Sequence, residues 1–141
     1  MKTFSDEGAL QVEIREEFDI INARARARVF AETLGFGIVD QTRIATAVSE
    51  IARNALIHGG GGKMILRASK DKKGLEIVIA DEGPGVPDID RIMGPNYSKP
   101  GGLGLGLAAA KRLMDEFYLE SKPGAGTKVT MRKWVPSGFR W

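Results

Sequence analysis

The sequence predicts an α/β protein, an α+β two-layer arrangement of about five strands and three helices. Three observations lead there. Alternation of apolar and polar residues marks 10–17, 63–70 and 127–134 as strands. Apolar residues recur at helical spacing in segments starting near 19, 40 and 103. The short turn at 71–74, Asp-Lys-Lys-Gly, joins 63–70 to a further strand at 75–80 as a hairpin.

In chain order, Val12 and Ile14 face one way in the first strand, and Glu13 and Arg15 the other. Asp19 is the expected N-cap of the first helix, whose stripe is Ile20, Ala23, Ala27, Phe30, Ala31 and Leu34, with Gly35 as its stop. Arg24, Arg26 and Arg28 spread around such a helix as solvated residues; a docking surface for an acidic partner is the sharper alternative. Asp40 is expected to cap the second helix, which runs to about 57 with the stripe Ile44, Val48, Ile51 and Ala55. Glu50, Asn54 and His58 stand four residues apart on that helix, at the margin of the stripe. They read either as the wall of a cleft or as an ordinary polar flank. Gly59 to Gly62 end the helix.

Met64, Leu66 and Ala68 alternate against Lys63, Ile65 and Arg67. The nearly continuous apolar run at 75–80 predicts a central strand buried on both faces. A turn rich in Gly and Pro follows Asp81, and 89–93 reads as one helical turn. The third helix is expected over 103–116, polar at Lys111, Arg112, Asp115 and Glu116. Strands at 117–121 and 127–134 flank the turn Lys122-Pro-Gly-Ala-Gly126, and 135–141 is a short tail.

Composition narrows the function classes. At 141 residues the chain reads as one domain, large enough to bury roughly two-thirds of its unfolded surface without a metal or disulfide staple. It holds no cysteine, which excludes disulfides, thiolate catalysis and a cysteine zinc site. A cytoplasmic location fits. No apolar run approaches the ~18 residues of a membrane span. The net charge of +3 reads as solvated surface charge, so neither nucleic acid nor membrane is an expected partner.

The chemistry concentrates in two glycine clusters. Asp81-x-Gly83-x-Gly85 places a carboxylate at a strand end, followed by glycines that let backbone approach a ligand. Gly102-x-Gly104-x-Gly106 opens a helix, where backbone N–H groups and the positive helix end suit phosphate. A Walker loop needs Gly-x4-Gly-Lys-Ser/Thr, which is absent. A dinucleotide fingerprint needs a strand directly before the glycines, and Tyr97-Ser-Lys-Pro100 makes a poor one. The other parts of a protein-kinase signature are also missing.

Taken together, Glu50-x3-Asn54-x3-His58 on a helix, Asp81-x-Gly83-x-Gly85 after a strand, Gly102-x-Gly104-x-Gly106 opening a helix and Gly126-Thr127 entering a last strand resemble the GHKL ATPase/kinase superfamily. The resemblance covers about 10–133, nearly the whole chain. The stretches 40–54, 81–88, 101–107 and 110–117 resemble the anti-sigma-factor serine kinases, and among these the RsbT-type switch kinases. The sole histidine lies inside the nucleotide motif, unlike the phosphoacceptor of a sensor histidine kinase.

The resemblance implies a Bergerat-type ATP-binding fold: a mixed, mainly antiparallel sheet covered on one face by three helices. It implies ATP and Mg²⁺ as cofactors. Asp81 would accept from the adenine amino group, with Thr127 helping through water and Gly83 and Gly85 passing close to the base. Asn54 would bind Mg²⁺, and Glu50 would orient or deprotonate the attacking hydroxyl. Gly102, Leu103, Gly104, Leu105 and Gly106 would cradle phosphates, and His58 would touch the phosphate side. Residues 88–101 would form the ATP lid, with Lys99 as its cation. The implied activity is a serine/threonine protein kinase of a bacterial partner-switching module. Its substrate would be a STAS-domain antagonist, and it would activate a PP2C-type phosphatase by binding. A nucleotide-bound binding switch, or an anti-sigma factor holding a sigma subunit, stays open, as does a homodimer.

Overall fold

The computed structural model describes residues 3–85 and 103–136. The expected turn at 89–93, the lid at 88–101 and most of the tail lie outside them. The elements run β1 (Leu10–Ile14), α1 (Glu17–Leu34), α2 (Ile38–Ile57), β2 (Gly62–Ala68), β3 (Gly74–Asp81), α3 (Leu103–Leu113), β4 (Glu116–Lys122) and β5 (Gly126–Trp134). The strands form one five-stranded sheet in the order β1-β2-β3-β5-β4. Each of the four pairings is antiparallel, which sharpens the expectation of a mainly antiparallel sheet.

Helix boundaries differ from the sequence reading for local reasons. Asp19 lies inside α1, and its carboxylate accepts from the N–H groups of Arg15 and Glu16 at 2.8 and 3.0 Å. It therefore satisfies donors from the third helical position, while Glu16 takes the cap. Gly35 ends α1 at φ 97°, and the N–H of Phe36 reaches back to the carbonyl of Ala31. Gly37, not Asp40, caps α2; Asp40 lies in the first turn, where a carboxylate suits the positive helix end. The third helix stops at Leu113, short of the expected 116. Lys133 Nζ donates to the Leu113 carbonyl at 2.9 Å, and Asp115 N–H donates to the Arg132 carbonyl, turning the chain into β4.

Side chains alternate across the sheet as the strand period requires. Val12, Ile14, Met64, Leu66, Ile77, Ile79, Val129 and Met131 are buried in a core with Ile44, Val48, Ile51 and Ala55 of α2. Ile20, Ala23, Ala27 and Ala31 of α1 and Leu107 and Ala110 of α3 complete it. The small alanines let α1 pack closely on α2. Arg24 and Arg26 are exposed, and Arg28 is half-buried beside Thr42. The far face carries a charge row: Glu76, almost buried, pairs with Arg67 and Arg132, and Arg132 also reaches Glu116. Among the described residues no helix is long and apolar enough to cross a membrane.

Candidate functional site

Three pieces of chain converge beside the core: the second half of α2, the end of β3 with its loop, and the β4–β5 turn. With Leu107 of α3 they surround a small cleft lined by apolar Ile51, Ile79, Leu107 and Val129 and by polar Asn54, His58, Asp81 and Thr127. The apolar walls continue the core stripe, so the cleft is an edge of the core left open. Such walls accept a flat apolar ring, while the few polar groups orient it.

Asp81 is the last residue of β3, paired in register with Thr127 at the start of β5. Its Oδ1 accepts from Gly83 N–H at 2.9 Å and from Thr127 N–H at 3.3 Å. Both donors sit on one oxygen. Among the described residues no donor reaches Oδ2, which leaves it to accept from a ligand. A Cβ at Gly59 would lie 2.3 Å from the Asp81 carboxyl carbon, and one at Gly83 would lie 2.5 Å from Gly59 Cα. The carboxylate thus sits in a slot cut by two glycines.

The loop after Asp81 and the β4–β5 turn interlock. Gly124 N–H donates to the Pro84 carbonyl at 2.8 Å. Gly85, at φ 82°, lies so near Lys122 that a Cβ would meet its carbonyl oxygen at 2.3 Å. Gly126, at φ 86°, abuts the Asp81 carbonyl in the same way, at 2.1 Å. A left-handed φ and no room for a side chain restrict both positions to glycine.

Glu50 and Asn54 stand one turn apart on α2 and face α3 at Gly106, whose added Cβ would lie 3.0 Å from Glu50 Oε2 and 3.2 Å from Asn54 Nδ2. The structure thus joins the helix motif to the second glycine cluster. Asn54 Nδ2 is buried with no hydrogen-bond partner among the described residues. An orphaned buried amide costs about 1–3 kcal/mol, which a ligand group can recover. Amide oxygen and nitrogen exchange by a flip, so the same atom position can offer an oxygen donor. A carboxamide and a neighbouring carboxylate are hard ligands that fit Mg²⁺, which takes few protein ligands and completes its shell with phosphate and water. Among the described residues no group of three or more His, Asp or Glu forms a protein-only metal cage.

His58 follows the last residue of α2 and lines the cleft with Asp81, Gly85 and Thr127. Leu103, Gly104 and Leu105 form the first turn of α3, and Gly106 and Leu107 are buried in the next. Lys99 and Gly102 lie outside the described residues. Two site residues escaped the sequence reading. Gly59 was absorbed into a glycine run that ends a helix. Ser121 sits in β4 with its Oγ 3.0 Å from Thr127 Oγ1, and only its place two residues before Pro123-Gly124 hinted at a role.

The model of the histidine kinase-like ATPase domain matches residues 7–133. The chain is 49% identical over 126 residues to the serine/threonine-protein kinase RsbT of Bacillus subtilis, covering 88% of this chain and 95% of that one. It is 35% identical over 121 residues to an anti-sigma F factor of Thermoanaerobacter (strain X514), covering 82% and 85%. The solved RsbU and RsbW domains of a Mycobacterium tuberculosis protein superpose with a TM-score of 0.66 at 21% identity, over 94% of this chain and 34% of that longer one, a likeness of fold. The motifs, the one-sided sheet and these matches agree: the chain belongs to the histidine kinase-like ATPase family, in its anti-sigma-factor serine/threonine-kinase branch.

Proposed function

We propose that this chain transfers the γ-phosphoryl group of ATP to a seryl hydroxyl of a STAS-domain antagonist protein in a partner-switching module. The observation that carries the reading is the convergence of Glu50, Asn54 and Gly106 at one end of a cleft whose other end holds Asp81 in a glycine slot. One end suits a base with an exocyclic amino group, the other suits phosphates.

Asp81 accepts from the adenine amino group, and Thr127 assists through water. Gly83 and Gly85 bring backbone against the base. Mg²⁺, when bound, would neutralise phosphate charge, and Asn54 is the residue that would hold it. Gly102, Gly104 and Gly106 with Leu103 and Leu105 present backbone N–H groups to the phosphates at the α3 N-terminus. His58 and Lys99 supply phosphate-side contacts. Glu50 orients the seryl hydroxyl and takes its proton as the Oγ–phosphorus bond forms and the bond to ADP breaks. Phosphoryl transfer relies mainly on such positioning and charge neutralisation.

The 49% identity to RsbT supports a switch kinase that leaves its phosphorylated substrate and then activates a PP2C-type phosphatase by contact. The likeness to anti-sigma F factors favours a second reading, in which the chain holds a sigma subunit. The test is transfer from γ-labelled ATP and Mg²⁺ into proteins of the source cell's extract, comparing wild type with Asn54→Ala. One acid-stable labelled band, lost in the variant, is expected. Acid-labile label would replace serine by histidine chemistry. No label with ATP binding intact would favour a binding switch.

A further inference from the structure

We infer that Lys133, which lies outside the cleft, is a positioning residue for the proposed phosphoryl transfer. It clamps α2 and α3 together at one end and so sets how Gly106 meets Glu50 and Asn54 at the other. The inference rests on the kinase reading above and deepens it.

Lys133 is a cation only 6% exposed. It stands near the end of β5, in register with Leu75 of β3, so the sheet fixes its backbone. Its Nζ donates to the carbonyl of Leu113, the last residue of α3, at 2.9 Å. It also lies 3.8 Å from Asp40 Oδ1 in the first turn of α2, and 3.6 Å from Asp115 Oδ1 just beyond α3. A buried ammonium is costly unless partners surround it. Here one carboxylate comes from α2, and the carbonyl is at the negative end of α3, where a cation is favoured.

The same two helices meet again at the site. Glu50 and Asn54, about three and four turns along α2 from Asp40, face Gly106, about two turns before Leu113. The helices therefore run antiparallel, with Lys133 at one end of the pair and the catalytic candidates at the other. Between the ends, Ile51, Leu107 and Ala110 are buried in the shared core. Apolar burial is non-directional, so it holds the helices together without fixing how far one slides along the other. The bond to Leu113 and the pairing with Asp40 supply that direction, since they reference both helices to one strand. A slip of ~1 Å at Leu113 is carried along α3 to Gly106, and misplacement on that scale is enough to slow transfer severely.

The test is the rate of transfer from saturating γ-labelled ATP and Mg²⁺ into extract protein, well below the thermal melt of each variant. It compares the full-length wild type with Lys133→Met, Gly106→Ala and the double variant. Methionine keeps the length of the side chain and removes its charge. Asp40 keeps Arg43 at 3.0 Å and Asp115 keeps the Trp134 N–H at 2.8 Å, so neither carboxylate loses its last partner. Lys133→Met is expected to slow transfer roughly tenfold. In the Gly106→Ala background, where Glu50 and Asn54 are already displaced, it is expected to add little, as a double-mutant cycle demands of changes that act through one contact. A residue that only stabilises the fold would lower the melt and leave the rate of the folded protein unmoved. Asp40→Asn loosens the same clamp from α2 with Lys133 in place and is expected to slow transfer by less. Wild-type rates in the folded variants, or equal losses in both backgrounds, would overturn this inference alone. Absence of transfer in the wild type would overturn the kinase reading with it.

Discussion

The two ends of the cleft are built on opposite principles. The base end is made of backbone: Asp81 is seated by N–H groups of Gly83 and Thr127, in a slot where Gly59, Gly85 and Gly126 leave no space for a Cβ. At the other end two side chains, Glu50 and Asn54, converge on Gly106, and Asn54 Nδ2 is buried without a partner among the described residues. At the first end backbone N–H groups already seat the carboxylate through Oδ1. The second carries an unmet polar group that a ligand can satisfy. Under the proposed nucleotide reading, shape is fixed where the base would be read, and binding energy is reserved for where charge would be handled.

The largest expected effect comes from filling the base end. Gly126→Ala puts a methyl against the Asp81 carbonyl at a φ of 86°. A loss of about 3 kcal/mol in urea denaturation is expected, together with loss of ATP binding. Normal stability with normal ATP affinity would erase the distinction between the ends.

Next is Glu50→Gln, which keeps shape and removes the base. Phosphate transfer should fall roughly 100-fold while ATP titration and melting stay as in wild type. Transfer at the wild-type rate would remove Glu50 from the chemistry.

Gly106→Ala sharpens the comparison from the other side. Its methyl meets the movable tips of Glu50 and Asn54 at 3.0–3.4 Å, not backbone. Helix propensity favours alanine by about 1 kcal/mol, so stability should hold or rise. Transfer should fall roughly tenfold as the two side chains are displaced. A destabilised protein would mean that the phosphate end is as rigid as the base end.

The smallest effect lies off the site, on the open sheet face. The Tyr118 hydroxyl donates to Glu116 at 2.8 Å, and that hydrogen bond raises its pKa above the ordinary value. A raised folded value means that the contribution to stability is whole below pH ~10 and is lost as pH climbs through the folded pKa. Ultraviolet titration in a Tyr97→Phe background should find the transition shifted down by Glu116→Gln. An unshifted transition would remove the hydrogen bond as its cause.

Periodicity carried the elements well because each depends on neighbours in sequence. The stripe of Ile44, Val48, Ile51 and Ala55 is buried as its spacing requires, and the run at 75–80 is the middle strand of five. Caps were less legible. Asp19 and Asp40 have the right chemistry for an N-cap, yet Glu16 and Gly37 take the positions, because a carboxylate also serves from inside the first turn. Asp81, Gly83, Gly85 and Thr127, singled out in the sequence, do come together at one end of the cleft. Gly59 and Ser121 were not singled out, since each earns its place only against a residue brought to it by the fold.

The order of helices and strands, the core stripes and the glycine and carboxylate pattern follow from the sequence alone, because local sterics and a 3.6- or two-residue period determine them. Which strands are neighbours, which helix faces Glu50, and which residue of β4 stands beside Thr127 were decided by tertiary structure. Those outcomes depend on contacts between segments far apart in the chain, where packing, rather than any local preference, sets the distances.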